Sequence, residues 1–288
     1  MTPTEPPSVR RLREAMGGLS TRANPGQVDA AALRRAVRTK DMEGIERHGG
    51  IDRDRTSAHL SAMDGWFRGR GVGFLGYQAS AAAVVHADDL DAARRHTERI
   101  LEQYAGEYRR PYHTGLKTAS HHAAVRALAE ASQAMYDEDY VTLYRGIYGE
   151  QGRELRTQLQ SMKALSLYQG VPSGRGEETI DVALAPVSSW TESRKRAQLF
   201  AEGYGTKSKV AWSPPGYKKP PQYAAVLRMR VPRRDIAFSW RLLRSGVAGT
   251  EVAAMALRDR EVGVFSRGVA RISLDDIDVP VGKRPAAW

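Results

Sequence analysis

The chain has 288 residues, of which 41% are hydrophobic and 27% charged, the balance of a globular protein with a buried core. Cysteine is absent, which excludes disulfide frameworks, thiolate catalysis and cysteine-ligated zinc. Lys and Arg (44) outnumber Asp and Glu (33) and give a formal charge of +11. This charge favours polyanionic partners such as nucleic acid or a phosphorylated cofactor, although an arginine-rich solvated surface gives the same total.

No segment reaches the roughly 18 apolar residues that a membrane helix requires, and residues 1–20 are too charged for the apolar part of a secretory signal. We therefore expect no membrane span and a protein that is cytoplasmic as synthesised. Delivery into another cell by a route without such a signal stays open. The seven histidines lack the HExxH spacing, and we expect no metal site.

Prolines and glycines interrupt residues 1–28, which predicts a flexible tail with one short helix at Val9–Met16. Residues 29–139 form a predicted helical region. The glycines of Trp66–Gly76 predict a loop or turn rather than a phosphate-binding loop, because no Lys-Ser/Thr pair follows them. The helices are expected at Val28–Thr39, Ser80–Tyr104 and Ala119–Tyr136.

The composition changes at Tyr140, where short runs of β-branched and aromatic residues begin. Two helical segments are expected among them, at Gly152–Tyr168 and Glu192–Glu202. The pattern predicts an α+β fold, with a mostly helical first part and a strand-rich second part. The strands are expected at Tyr140–Arg145, Ile180–Leu184, Tyr223–Val231, Ile236–Trp240, Glu261–Phe265 and Val269–Ile272.

Three segments of this second part form a candidate site. Leu143-Tyr-Arg-Gly146 places an arginine and a glycine at the end of a strand. Ser188-Ser-Trp-Thr-Glu-Ser193 precedes a helix over Arg194–Ala201. Asp259-Arg-Glu-Val-Gly-Val264 carries two acids at alternating positions before a strand. Taken singly, these segments fit a surface arginine, a helix start capped by Ser189 or Thr191, and a solvated strand edge.

In this order the segments resemble the Arg-Ser-Glu branch of the ADP-ribosyltransferases, which includes clostridial-type toxins and phage enzymes. The resemblance covers about Tyr140 to Pro280. It implies a catalytic domain of two packed sheets over residues 140–288 and an enzyme that uses NAD as co-substrate. Such an enzyme releases nicotinamide and transfers ADP-ribose to a protein or nucleic-acid acceptor, and a cognate inhibitor is a possible partner.

The resemblance also implies roles for the first two segments. Arg145 would bind the NAD diphosphate, since a planar guanidinium matches phosphate oxygens, and Gly146 would let the backbone approach the nicotinamide amide. Ser189 and Thr191 would brace the cofactor and the catalytic acid, because residues two apart on a strand share a face. Ser188 is the alternative if the register shifts by one residue.

Glu261 would be the catalytic acid, hydrogen-bonding the ribose 2′-hydroxyl and stabilising the oxocarbenium ion that forms as nicotinamide leaves. Asp259 is expected on the same strand face, where it would serve the acceptor. Related arginine-specific enzymes carry Glu at this position, so the Asp leaves the acceptor open. Tyr204 and Trp212, in a basic loop over residues 203–223, are candidates for stacking on the nicotinamide ring.

Two other functions fit parts of this pattern. The same three segments would serve an NAD glycohydrolase, in which water replaces the acceptor. The +11 charge and the aromatic and lysine residues of 203–223 also fit a non-catalytic nucleic-acid-binding protein.

Overall fold

The fold is α+β, as the sequence predicted. The computed structural model describes residues 28–51, 72–89, 91–96, 98, 119–148, 152–161, 179–201, 224–273 and 276–278. The predicted tail over 1–28, with its helix at Val9–Met16, lies outside the described residues except for Val28. Among the helices of these ranges, none combines the length and the apolar character needed to cross a bilayer.

Seven helices have both ends within the described residues. They are α1 (Ala30–Thr39), α2 (Met42–Gly49), α3 (Val72–Val85), α4 (Ala119–Gln133), α5 (Arg194–Ala201), α6 (Trp240–Leu243) and α7 (Thr250–Asp259). Residues 91–96 and 152–161 are also helical.

Eight strands complete the secondary structure. They are β1 (Tyr140–Ile147), β2 (Thr179–Ala183), β3 (Val187–Thr191), β4 (Ala225–Pro232), β5 (Ile236–Ser239), β6 (Glu261–Phe265), β7 (Val269–Ser273) and β8 (Ile277–Asp278). Six form one sheet in the order β5-β6-β3-β1-β4-β8, and β2 pairs with β7 in a second sheet. All six strand predictions agree with the observed strands to within two residues at either end.

The chain divides into two compact units that are not consecutive in sequence. The first contains Met1–Asp139, Leu184–Ser188 and Pro232–Gly268. The second contains Tyr140–Ala183, Ser189–Val231 and Val269–Trp288. The change in composition at Tyr140 coincides with one boundary, but two later segments return to the first unit.

In the first unit, α4 packs against β5, and polar contacts tie the end of α4 to the end of β5. The Tyr136 hydroxyl lies 2.8 Å from Ser239 Oγ, and the Ser239 N–H donates to Ser132 Oγ at 3.1 Å. All three residues are at most 1% exposed. The buried hydroxyls therefore satisfy one another and a backbone amide, as a close-packed interior requires.

Two capped helices precede this core. The Asp29 carboxylate accepts from the Ala32 N–H at the start of α1, and the Asp41 carboxylate accepts from the Gly44 N–H at the start of α2. Lys40 adopts a left-handed conformation between them, with φ 55°. The sequence predicted α1 but not α2, because eight residues with two glycines give a weak helical pattern.

Helix α3 differs from the sequence prediction at both ends. Its first residues, including Gly73 and Gly76, were predicted as a turn, and the helix predicted over Ser80–Tyr104 stops at Val85. Tyr77, Ala81 and Ala82 are fully buried, so burial of this segment outweighs the low helix propensity of its glycines. Residues 86–88 form a turn before the next helical residues.

In the second unit, β1 pairs antiparallel with β3, and Tyr144 lies opposite Thr191. Ala197 and Ala201 of α5 are buried with Val226 of β4, and the half-buried Tyr144 packs against this cluster. The fold thus brings the first two predicted site segments side by side. Beyond them, β4 pairs with β8 through Leu227 and Ile277.

Candidate functional site

Arg145 is held against β3 by a hydrogen bond between the first two site segments. Its Nη1 donates to the carbonyl oxygen of Ser189 at 3.0 Å. Both residues belong to the second unit, on the paired strands β1 and β3. Arg145 is half-buried, whereas the Ser189 side chain faces solvent. The bond holds the guanidinium beside an exposed serine.

Gly146 lies where α5 crosses β1, and a side chain there would collide with the helix backbone. A Cβ atom would lie 2.1 Å from the Ala197 carbonyl oxygen and 2.5 Å from the Ala201 nitrogen. The absence of a side chain therefore lets α5 pack directly on β1. Close helix packing is a sufficient reason for glycine here, independent of the expected approach to nicotinamide.

The polar residues of β3 lie in different environments. Ser188 and Thr191 are 2% and 3% exposed, whereas Ser189 is exposed. Ser188 belongs to the first unit, and Ser189 and Thr191 belong to the second. Among the three hydroxyl groups, only that of Ser189 is on the surface of the structure. Of Ser189 and its alternative Ser188, Ser189 is thus the one whose hydroxyl solvent reaches.

Thr191 takes part in the turn that leads into α5. Its Oγ1 accepts from the Ser193 N–H at 3.1 Å, and Ser193 Oγ accepts from the Arg196 N–H at 3.3 Å. Ser193 is therefore the N-cap, and the sequence-based alternative of a cap at Ser189 or Thr191 is wrong. The pattern Ser193-x-x-Arg196 lacks the glutamate that marks a capping box, which is why the cap was missed.

Glu261 is the first residue of β6, in the first unit, and its side chain is half-buried. It follows Arg260, whose left-handed conformation, with φ 48°, ends α7. Two residues further on, Gly263 lies opposite Phe238, and a Cβ atom there would lie 2.2 Å from Phe238 Cε1. The Phe238 ring thus packs directly against the backbone of the strand that begins at Glu261.

Asp259 does not share a strand face with Glu261, so that expectation is wrong. It is the last residue of α7, and the turn at Arg260 separates it from β6. Its carboxylate is buried and receives two hydrogen bonds from Arg258, at 2.8 Å from Nε and 2.6 Å from Nη2. Two acids at alternating positions look alike on a strand and across a helix end, and here the helix extends further than the pattern indicated.

The other candidate residues are only partly covered. Tyr204 and Trp212 lie outside the described residues. Within the described ranges, no three histidine, aspartate or glutamate side chains come together in a way that would hold a metal ion. Arg145, Gly146, Ser189 and Thr191 are brought together in the second unit, while Ser188, Asp259 and Glu261 belong to the first.

Comparison with known proteins adds no relative to this description. No protein-family model, no curated protein and no solved structure matches the chain. The functional argument therefore depends on the residues of the candidate site and their chemistry.

Proposed function

We propose that the protein is an ADP-ribosyltransferase that cleaves NAD, releases nicotinamide and transfers ADP-ribose to a macromolecular acceptor. The observation that carries the proposal is the bond from Arg145 Nη1 to the Ser189 carbonyl oxygen on two paired strands. Arg145 and Ser189 are 44 residues apart in the chain, and the fold brings them into contact. This contact supports the view that the Leu-Tyr-Arg-Gly and Ser-Trp-Thr segments work together.

Arg145 would bind the NAD diphosphate. A guanidinium carries five N–H donors in one plane, a geometry that matches phosphate oxygens. The bond also limits the orientations of a long side chain, which reduces the entropy lost when a ligand binds. The exposed hydroxyl of Ser189, on the next strand, would contact the same ligand.

Glu261 would stabilise the reacting sugar. The bond from ribose C1′ to the nicotinamide nitrogen breaks, and its electron pair leaves with nicotinamide. The acceptor's nucleophilic atom then forms a bond to C1′ and loses a proton to solvent or a base. Positive charge develops on the sugar between these events, and a half-buried carboxylate stabilises it more strongly than one in water.

The test is release of nicotinamide from NAD by the purified full chain. Glu261→Gln keeps the shape of the side chain and removes its charge, and we expect a loss of about two to three orders of magnitude in rate. The control is Glu138→Gln, which removes the same charge from an exposed position. Circular dichroism spectra establish that both variants are folded. Activity of Glu261→Gln within threefold of the wild type contradicts the assignment.

A second experiment separates transfer from hydrolysis. NAD labelled on its adenylate part is incubated with the protein and a cell lysate, and the products are digested with nuclease or protease. Label that stays on a macromolecule and is released by one of the two digestions identifies the acceptor class. Nicotinamide release without any macromolecular label instead indicates an NAD glycohydrolase.

A further inference from the structure

Two arginines of the first unit lie over one tryptophan ring. The guanidinium carbon of Arg244 is 5.6 Å from the centroid of the Trp240 ring, and that of Arg260 is 5.8 Å from it. The Trp240 side chain is half-buried and its Nε1 is turned into the protein. The ring thus acts as a platform for two cations. We call these three residues the arginine–tryptophan cluster.

Two helix ends bring the cluster together. Arg244 follows the last residue of α6, one turn beyond Trp240, and Arg260 follows the last residue of α7. Arg260 is one of two described residues other than glycine with a positive φ, the other being Lys40. Residues other than glycine rarely adopt this conformation, and here it forms the turn that ends α7 and places Arg260 near Trp240.

The cluster carries positive charge that the described part of the protein does not neutralise. Within this part, neither Arg244 nor Arg260 forms an ion pair, whereas the neighbouring Arg258 is bound through two nitrogens to Asp259. Arg260 is exposed and Arg244 is half-exposed. Two like charges held near one ring repel each other, and an anion bound to both would relieve that repulsion.

We propose that the arginine–tryptophan cluster binds the phosphate backbone of single-stranded nucleic acid. A guanidinium over the face of an aromatic ring directs its N–H donors outward in its own plane, where they can meet phosphate oxygens. The excess of 44 basic over 33 acidic residues favours a polyanion over a single small anion. This binding goes beyond the proposed function and does not depend on NAD cleavage.

The spacing of the two arginines fits a chain of phosphates. Since each guanidinium carbon lies within 6 Å of the same centroid, the two are at most about 12 Å apart, close enough to contact phosphates of one strand. A nucleic-acid strand would offer successive phosphates to both arginines.

The test measures binding of the full chain to a fluorescein-labelled 20-nucleotide oligo(dT) and to oligo(rU) by fluorescence anisotropy, over a range of salt concentrations. Arg244→Gln/Arg260→Gln removes two phosphate contacts. We expect about a tenfold loss of affinity at moderate salt. The slope of log K against log salt should become shallower by about 1.4, because each single-strand contact contributes about 0.7.

Matched variants separate a specific site from net charge. Arg35→Gln/Arg38→Gln removes the same charge from exposed positions of α1, and we expect its affinity and salt slope to stay close to those of the wild type. Arg244→Lys/Arg260→Lys keeps the charge and loses the stacked fork, and we expect an intermediate affinity. If the glutamine variant does not fold, the lysine variant, compared with the α1 variant, supplies the same test.

Three results would overturn the proposal. The first is an unchanged oligonucleotide affinity in the double glutamine variant, and the second is an equal loss of affinity in the α1 variant. The third is a cluster that binds NAD or pyrophosphate but does not bind the oligonucleotide. Nicotinamide release is measured on the same samples without nucleic acid. A wild-type protein that binds oligonucleotide through the cluster but does not cleave NAD contradicts the proposed function and leaves this inference in place.

Discussion

The side-chain amide of Gln78 hydrogen-bonds both backbone groups of Val187. Its Nε2 donates to the Val187 carbonyl oxygen at 2.9 Å, and its Oε1 accepts from the Val187 N–H at 2.9 Å. Gln78 is 2% exposed and lies on α3, and Val187 is the first residue of β3. One buried amide therefore takes the place of a neighbouring strand for the residue that precedes Ser188.

Replacing Gln78 by Leu should destabilise the protein. Two buried backbone groups would lose their partners, and each unsatisfied group costs about 1–3 kcal/mol, so we expect a loss of about 2–6 kcal/mol in the free energy of unfolding. Urea denaturation followed by circular dichroism measures it. Gln158→Leu is the control, because Gln158 also donates to a carbonyl, that of Asp181, but at an exposed site. Equal stabilities of the two variants would show that the Gln78 bonds do not support β3.

Gly146→Ala should loosen the packing of α5 on β1. The new methyl group would overlap the Ala197 carbonyl oxygen, and we expect a loss of about 1–3 kcal/mol, typical of overpacking. The comparison is Gly246→Ala, where φ is +90° and no atom lies within 4 Å of the added carbon. That variant reports the cost of backbone strain alone. Thermal unfolding of both separates the two effects, and a smaller loss at Gly146 than at Gly246 would contradict the overlap.

Arg145→Lys should act mainly on NAD binding, as the proposed function requires. A lysine keeps the charge but loses the planar fork, so we expect the KM for NAD to rise about tenfold while kcat changes little. Arg271→Lys serves as the control, since Arg271 is an exposed arginine of the second unit that pairs with Asp181. An unchanged KM in Arg145→Lys would indicate that this side chain does not contact the phosphates.

Asp259→Ala should lower hydrolysis and transfer by the same factor. The carboxylate is occupied by Arg258 at the end of α7, so its loss would disturb the turn that leads into Glu261 rather than the acceptor alone. Nicotinamide release and macromolecular labelling are measured in parallel. Arg258→Ala should give a similar pattern, because it removes the other half of the pair. Loss of transfer with hydrolysis preserved would instead restore the acceptor role predicted from the sequence.

Asp235 should make stability depend on pH in the acidic range. Burial raises its pKa, and the positive charges of Arg234 and Arg267 oppose that rise only in part. A raised pKa means that the folded state favours the protonated form, so the stabilisation is present at low pH and is lost as pH rises through the folded pKa. Asp235→Asn, which mimics the protonated form, should therefore unfold at a higher temperature than the wild type near neutral pH. Near pH 3 the difference should vanish, and a difference that grows there would contradict the sign.

The sequence predicted the strands well and the α7–β6 junction poorly, for a local reason. Strands rich in β-branched and aromatic residues, such as Tyr140–Ile147, are recognisable from composition. The end of α7 depends on a left-handed residue, and Arg260 carries no mark of that conformation, which glycine normally supplies. Asp259 was consequently placed on a strand.

The candidate site was predictable only as far as its residues act locally. The motifs and their order can be read from the sequence, whereas the pairing of β1 with β3 and the Arg145 contact to Ser189 come from the fold. The contact that Gln78 makes with Val187 joins positions 109 residues apart and leaves no local pattern. The burial that makes Val72–Val85 helical despite its glycines is likewise a property of the whole core.

The return of residues 232–268 to the first unit sets the order in which the chain can mature during synthesis. The end of α4 satisfies its polar groups through β5, where Gln133 donates to the Ile236 carbonyl and Tyr136 meets Ser239. A ribosome that has released only the first 139 residues has not yet supplied these partners. The helical region therefore cannot complete its core until the intervening segment has been translated. Until then part of its apolar surface stays exposed to chaperones or to misassembly.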